Sequence, residues 1–184
     1  MELGINKVVK VKIMNGTYNS SQTTDDRPYR PCVGLMLINK RGEVFVGNRI
    51  DTAGPHWQMP QGGIDDGEEP RDAALRELEE EVGTSKARIL AESGNWYAYD
   101  LPRELSHRIW KGQYRGQTQK WFLLAFEGDD SEIRLDAHYQ EFSEWQWAPF
   151  DDLTNLIVPF KRDIYEKVTA DFRSLVADYL HGKL

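Results

Sequence analysis

Cysteine is nearly absent from this sequence, since Cys32 is the single one among 184 residues. One cysteine cannot form an internal disulfide, so we expect a reducing compartment and a cytoplasmic protein. Because Cys32 stands within an apolar segment, we expect it to pack in the core and not to act as a nucleophile.

Long apolar runs are absent as well. No segment approaches the roughly 20 apolar residues of a membrane-spanning helix, and the first residues lack the apolar stretch of a secretion signal. Basic residues are outnumbered, with 23 Lys and Arg against 30 Asp and Glu and a net charge of −7. This balance argues against broad binding to nucleic acid, so we expect neither DNA nor a membrane as partner. A local basic pocket for phosphates is compatible with it.

The chain divides into a short extension and one domain. Residues 15–26 are polar and rich in turn-forming residues, so we predict a flexible N-terminal extension over residues 1–26 and a domain over 27–184. A short strand at Val8, Val9, Val11 and Ile13 is the alternative for part of the extension. Predicted strands lie at 32–38, 44–47, 87–91, 96–101, 119–126 and 145–147, with a further short strand possible at 133–135. Residues 102–116 are predicted as a loop with a basic bias, 151–156 as a helical turn, and 160–180 as an amphipathic helix covering the sheet.

Residues 62–84, GGIDDGEEPRDAALRELEEEVGT, are predicted to form a loop followed by a helix. Pro70 suits the first helical position, and Gly83 suits the residue just past the helix end. Apolar residues recur at helical spacing and predict a buried stripe: Ala74, Leu75, Leu78 and Val82.

Three glutamates of this helix are neighbours on its surface. Glu77 and Glu81 are four residues apart, and Glu77 and Glu80 are three apart, so their charges repel unless a positive group lies among them. Carboxylates so placed suit Mg²⁺ or Mn²⁺, especially where a phosphate substrate completes the ligand shell. The alternative is a solvated acidic helix face.

The spacing favours the metal site, because the segment resembles the Nudix box, G-x5-E-x7-R-E-U-x-E-E-x-G-U, with U a bulky aliphatic residue. The matching positions are Gly62, Glu68, Arg76, Glu77, Leu78, Glu80, Glu81 and Gly83. Thr84 departs from the last U position, which concerns packing at the helix exit. Further segments are similar to one branch of that family, which holds bacterial RNA pyrophosphohydrolases and diadenosine polyphosphate hydrolases. These segments are 29–31, 57–63, 116–122, 141–147 and 160–165.

The resemblance implies a Nudix α/β/α sandwich, with a mixed β-sheet between helices, and metal-assisted hydrolysis of a phosphoanhydride. It implies metal binding by Glu77, Glu80, Glu81 and the Gly62 carbonyl, and it places Glu141 at the metal as ligand or as base for the attacking water. Glu68 is expected to brace the loop and Arg76 to pair with a helix glutamate. The candidate catalytic residues are Glu80, Glu81 and Glu141.

Substrate-binding candidates follow from the charge of a polyphosphate. Arg offers planar bidentate donors and Lys a point charge, so Arg30, Arg49, Lys120 and Lys161 are candidate phosphate clamps. Phe160 is a candidate for stacking on a base, with core packing as the alternative. For Tyr97 and Tyr99 core packing is favoured. Each basic candidate has solvated surface as its alternative.

The implied function is a Mg²⁺-dependent, or Mn²⁺-dependent, pyrophosphohydrolase. The substrates are 5′-triphosphorylated RNA, whose hydrolysis initiates mRNA decay, or dinucleoside polyphosphates such as Ap4A, and residue patterns leave this choice open. The alternative from another class is a catalytically silent domain that binds nucleotide or RNA. The basic residues Arg103, Arg108, Lys111 and Arg115 offer a path for an RNA backbone, with an ordinary solvated loop or lid as alternative.

Overall fold

The computed structural model describes residues 25–51, 54 and 56–184, and the backbone of two short strands, β1 (Lys12–Ile13) and β2 (Gly16–Thr17). β1 and β2 pair antiparallel. The extended strand predicted in the first residues falls mostly outside these ranges, since Val8, Val9 and Val11 lie outside the described residues. The division between residues 26 and 27 therefore stays a prediction.

One mixed sheet of seven strands forms the centre of the molecule. Its strands are β3 (Tyr29–Ile38), β4 (Val44–Arg49), β5 (Trp57–Gln58), β6 (Gln61–Gly63), β7 (Ala87–Asp100), β8 (Gly116–Phe126) and β9 (Phe142–Ala148). The order is β5-β4-β3-β8-β7, with β6 paired to β3 and β9 to β4. β3 and β8 run parallel over ten residue pairs, and the other pairings are antiparallel. Residues 32–38 are buried throughout, as expected for a central strand covered on both faces.

Helices cover both faces of this sheet. Helix α4 (Arg162–Leu180) packs on one face, where Tyr165 meets Trp121 edge to face at 5.8 Å between ring centroids. Helix α1 (Pro70–Val82) packs on the other face against Leu35 and Phe122. Two apolar layers thus enclose the sheet, and the predicted α/β class with a mixed sheet between helices is confirmed.

Helix α1 begins and ends where its sequence predicts. Pro70 is its first residue, and Gly83 closes it in the left-handed conformation, with φ 73°. The predicted stripe is wrong in one member, because Leu75 is 41% exposed. Glu77 and Glu81 take part in the buried face instead, beside Leu78.

Three further predictions need correction. The basic segment 102–116 is not a plain loop, because it contains helix α2 (Arg103–Trp110). Residues 133–135 form no strand; a short 3₁₀ turn, Asp130–Glu132, precedes them. The two strands predicted at 87–101 are one strand, β7, whose pairing with β8 shifts register twice. The helical turn near 151–156 is confirmed by the 3₁₀ turn Phe150–Asp152 and helix α3 (Leu153–Leu156). In the described ranges, no helix combines the length and the apolar character that a bilayer crossing requires.

Candidate active site

A cavity of about 420 Å³ opens where α1, the strand ends and α2 meet. Charged side chains form much of its wall: Arg30, Arg49, Asp51, Glu77, Glu80, Arg108, Glu141 and Lys161. Glutamines and Gly62 line it between them, and Tyr99, Phe160 and residues of α2 add apolar surface. Such a mixture suits a ligand with a charged part and an apolar part.

Two of the α1 glutamates, Glu77 and Glu80, line this cavity. The Glu77 side chain is 10% exposed and that of Glu80 is 46% exposed, whereas Glu81 is buried and is not among the described lining residues. Gly62 passes close to Glu77, because a Cβ atom at Gly62 would lie 1.8 Å from the Glu77 carboxyl carbon. Only glycine therefore permits β6 to bring its backbone against this carboxylate.

Arg76 supplies the positive group that the glutamates require. Its Nη1 donates to Glu77 Oε1 at 2.8 Å and to Glu80 Oε2 at 3.1 Å. Its Nε and Nη2 donate to both oxygens of Glu68, and Nη2 also reaches the Gly63 carbonyl at 2.8 Å. Glu68 in turn accepts from the Asp65 N–H, and its pKa is lowered to about 2 by the Arg76 bonds. The predictions that Glu68 braces the loop and that Arg76 pairs with a helix glutamate are confirmed.

Glu81 is a buried carboxylate with unused binding capacity. Its Oε2 accepts from the Gln61 N–H at 3.0 Å, while Oε1 is buried with no partner among the described residues. Burial raises the pKa of Glu81 well above its ordinary value, and the charge of Glu141 raises it further. Burial also raises the pKa of Glu77. Buried acids whose pKa values are raised by burial and by one another are typical of a functional site.

Glu141 reaches this cluster from the loop before β9. Arg49 Nη1 donates to its Oε2 at 2.8 Å, and Arg49 also pairs with Asp51 through Nε at 2.6 Å. The pairing of β4 with β9 brings the loop that holds Glu141 to the end of β4, where Arg49 lies. The structure brings Glu141 into the cavity that Glu77 and Glu80 line.

The donor set fits a hard divalent cation. Oxygen ligands predominate, Glu81 Oε1 has no partner among the described residues, and the close acids repel one another. Within the described ranges, no three acidic, histidine or cysteine side chains already converge as a metal cage.

A chain of buried amides that the sequence analysis did not assign lies behind the phosphate candidates. Lys161 Nζ donates to Gln58 Oε1 at 3.1 Å and to Gln61 Oε1 at 2.9 Å. Gln117 Oε1 accepts from Gln61 Nε2, Gln119 Nε2 and the Tyr99 hydroxyl. Glutamines in otherwise apolar strands were the available signal for this network, since buried amides need partners.

Most of the predicted substrate-binding residues line the cavity, namely Arg30, Arg49, Phe160 and Lys161. Lys120 is not among the described residues that do so. Its ammonium group contacts the Ser93 carbonyl and lies 3.8 Å from Glu92. The Lys120 side chain therefore packs against the irregular part of β7, between Glu92 and Trp96. Phe160 stacks on Tyr99 at 6.1 Å between centroids. Tyr99 is buried in the core cluster, as expected, and only its small exposed part contributes to the cavity wall. Tyr97 lies elsewhere and donates to Asp171.

Cys32 packs as predicted. Its side chain is fully buried in β3, and burial raises the pKa of its thiol to about 12, so a nucleophilic thiolate is disfavoured at neutral pH.

Comparison with known proteins identifies the family. A model of the NUDIX domain matches residues 28–168. The RNA pyrophosphohydrolase of Novosphingobium aromaticivorans is 60% identical over 153 residues, which cover 81% of this chain and 95% of that protein. The RNA pyrophosphohydrolase of Rickettsia conorii is 49% identical over 158 residues, covering 86% and 98%.

Solved structures agree on the fold. The E. coli dihydroneopterin triphosphate pyrophosphohydrolase superposes with a TM-score of 0.60 at 20% identity, covering 78% of this chain and 99% of that one. A binary complex of the C. elegans Ap4A hydrolase gives 0.58 at 19% identity, covering 79% and 98%. The NUDIX model spans most of the chain, and the two RNA pyrophosphohydrolases match it over almost their full length. This chain therefore belongs to the Nudix hydrolase family.

Proposed function

We propose that this protein is a metal-dependent pyrophosphohydrolase that removes pyrophosphate from the 5′-triphosphate end of RNA, with dinucleoside polyphosphates such as Ap4A as additional substrates. The observation that carries the proposal is one cavity in which Arg30, Arg49 and Lys161 face the carboxylates of Glu77, Glu80 and Glu141. The relatives named RNA pyrophosphohydrolase, at 60% and 49% identity, favour RNA as the main substrate. We also expect the enzyme to act in the cytoplasm, where such RNA is made.

We propose that Glu77, Glu80, Glu81, Glu141 and the Gly62 carbonyl would hold the divalent cation, with Mg²⁺ as first choice and Mn²⁺ as alternative. When bound, such a cation offsets the charge that develops on phosphoryl oxygens and lowers the pKa of water. Glu81 Oε1 and the half-exposed Glu80 are the carboxylate atoms whose surroundings leave them most open to ligation.

The protein's own groups position the reactants. Arg30, Arg49 and Lys161 bind the non-bridging oxygens of the polyphosphate, which aligns one anhydride bond with the attacking water. Water oxygen forms the new bond to phosphorus while the bridging P–O bond breaks. The proton of the water passes to a carboxylate, for which Glu141 and the α1 glutamates are the candidates. For triphosphorylated RNA the products are 5′-monophosphorylated RNA and pyrophosphate, and for Ap4A they are ATP and AMP.

The test compares the two substrate classes on one enzyme preparation. Values of kcat/KM are measured on triphosphorylated RNA and on Ap4A with saturating Mg²⁺ or Mn²⁺, and the products are identified by chromatography. We expect hydrolysis of both, with the higher kcat/KM on RNA. A folded protein that hydrolyses neither substrate with either metal would contradict the proposal and support a silent binding domain.

A further inference from the structure

Helix α2 presents an apolar wall to the cavity. Leu105, Ile109 and Trp110 line it together, and we call these three residues the α2 wall. Leu105 and Ile109 are four residues apart and therefore neighbours on the helix surface. Ile109 is 46% exposed although its side chain borders a cavity. The phosphate chemistry proposed above gives these side chains no role.

The α2 wall is held in place from beneath. Ser106 is fully buried; its Oγ donates to the Tyr114 carbonyl and accepts from Arg27 Nη1 at 2.9 Å. Arg27 Nη1 also donates to the Gly112 carbonyl at 3.1 Å, just beyond the end of the helix. These partly buried bonds fix the helix against the strand ends, so the α2 wall is a pre-formed surface.

One contact joins the α2 wall to the phosphate-binding side of the cavity. The Arg30 guanidinium lies 5.9 Å from the centroid of the Trp110 ring, within reach of a cation–π interaction. Tyr114 supports the same ring edge-on, at 5.8 Å. The phosphate clamp Arg30 and the aromatic surface of Trp110 thus lie next to each other. In a nucleotide, the phosphate and the base are also close together, so one ligand can contact both.

We propose that the α2 wall binds the nucleobase of the 5′-terminal nucleotide, an inference that rests on the proposed function. The substrate carries charge on its polyphosphate, and its large apolar surface is the base. The cavity matches this division, with acids and basic clamps on one side and Leu105, Ile109 and Trp110 on the other. Contacts to the face of a base are tolerant of sequence, which suits an enzyme acting on many RNA 5′ ends.

The experiment measures KM for two enzymes, the wild type and a variant of the α2 wall, on two substrates that differ only in the first base. Substrates are a triphosphorylated oligoribonucleotide beginning with adenosine and the same molecule with an abasic first residue. We expect the wild type to show a KM about tenfold lower for the base-bearing substrate, with similar kcat. In Ile109→Ser the difference should shrink to about threefold or less, because KM rises only for the base-bearing substrate. Leu180→Ser, which alters an exposed leucine of α4 outside the cavity, is the matched control and should keep the wild-type difference.

Two kinetic outcomes overturn the proposal. One is an equal rise of KM on both substrates in Ile109→Ser, which would identify α2 as a lid; the other is a wild type that ignores the base while hydrolysing both. Calorimetric titration of AMP against ribose 5-phosphate tests the α2 wall without turnover. Equal affinities in the wild type would also overturn it, and tighter AMP binding that Ile109→Ser removes would support it. A wild type that hydrolyses neither oligonucleotide contradicts the proposed function, and the titration still decides the role of the wall.

Discussion

Arg49 and Glu141 are joined by a hydrogen-bonded ion pair of 2.8 Å, although they stand 92 positions apart in the chain. Arg49 also holds Asp51 with two further bonds, at 2.6 and 2.8 Å. These bonds to Asp51 and the nearby charge of Glu141 raise the pKa of Arg49 above its ordinary value. The candidate phosphate clamp Arg49 and the candidate metal-site acid Glu141 are therefore paired with each other in this structure. Binding of substrate and cation would replace this ion pair with an Arg49–phosphate pair and a Glu141–cation pair.

The first prediction is that Arg49 and Glu141 act as a coupled unit. Arg49→Gln and Glu141→Gln should each lower kcat/KM by about 10- to 100-fold, since each removes charge-assisted bonds of about 1.5–3 kcal/mol. The double variant should lose less than the product of the two losses, because both changes disrupt one arrangement. The measurement is a double-mutant cycle on triphosphorylated RNA. Strictly multiplicative losses would contradict the coupling.

The second prediction is that the buried Glu81 carboxylate lowers the free energy of unfolding at neutral pH. Its pKa is raised above the ordinary value of 4.5, so folding favours its protonated form. The folded state then binds more protons than the unfolded state above pH 4.5, and stability falls as pH rises. Glu81→Gln removes this cost. In EDTA at pH 7 it should raise the Tm by about 2–4 °C, corresponding to roughly 1 kcal/mol, while activity falls about 10²-fold or more.

Glu80→Gln is the matched control for Glu81, because the Glu80 side chain is 46% exposed and pairs with Arg76. It should lose activity with little change in Tm. Adding Mg²⁺ should stabilise the wild type more than Glu81→Gln, since a ligand stabilises only the state that binds it. If the Tm of Glu81→Gln is at or below that of the wild type, in EDTA across pH 5–8, then Glu81 does not destabilise the fold and the prediction is wrong.

The third prediction concerns the approach of β6 to α1. Gly62→Ala should lower kcat/KM by about 10²-fold, because the new methyl group would lie 1.8 Å from the Glu77 carboxyl carbon and displace it. Gly94→Ala is the control, since a Cβ atom there meets no atom of the described residues within 4 Å. Steady-state kinetics and circular dichroism distinguish a displaced ligand from a lost fold. If the folded Gly62→Ala variant has wild-type kinetics, the position of the Glu77 carboxylate does not matter for catalysis and the prediction is wrong.

The fourth prediction uses the buried ammonium group of Lys161. Burial lowers its pKa to about 8, with Arg49 as a further positive neighbour and Glu81 opposing the shift. The protonated form that binds phosphate is therefore lost as pH rises through about 8, and KM for Ap4A should increase between pH 7 and 9. Lys161→Arg keeps its charge over this range and should show no such increase. The same increase in both proteins would assign the titration to another group.

Local sequence predicted what local chemistry determines. Helix α1 begins at Pro70 and ends before Gly83 because these residues prefer those positions by themselves. The pairing of Arg76 with Glu80 follows from their spacing of four residues along one helix. These features need no knowledge of the rest of the chain.

Features that depend on tertiary packing were missed. Leu75 has the spacing of a buried residue, yet Glu77 and Glu81 take the buried face because Gly62 and Gln61 meet them there. Lys120 has the charge of a phosphate clamp, but its strand register places it beside the β7 bulge. The charge of a residue does not reveal which face of the sheet it occupies or which partner already holds it.

The basic segment shows the same limit. Arg115 is one of its four basic residues, but its guanidinium forms two bonds with Asp100 and a third with the Asp25 carbonyl. It also lies 5.0 Å from the centroid of the Tyr29 ring. Arg115 is therefore engaged within the domain, and its removal would confuse a binding defect with a stability defect. Arg103, Arg108 and Lys111 form no ion pair among the described residues, which leaves them as the better candidates for RNA contacts.

The fifth prediction is that Arg108 and Lys111 contact phosphates downstream of the reacting RNA end. Each contact to a single strand contributes about −0.7 to the slope of log affinity against log salt. The double variant Arg108→Gln, Lys111→Gln should therefore raise KM for a long triphosphorylated RNA and flatten its salt dependence by up to about 1.4. Ap4A has no downstream backbone, so its KM should change less, by no more than the contribution of Arg108, which also lines the cavity. The control Arg88→Gln, Arg173→Gln removes the same charge at two exposed ion pairs away from the cavity. Equal changes in both double variants, or equal losses on both substrates, would remove α2 from the RNA path.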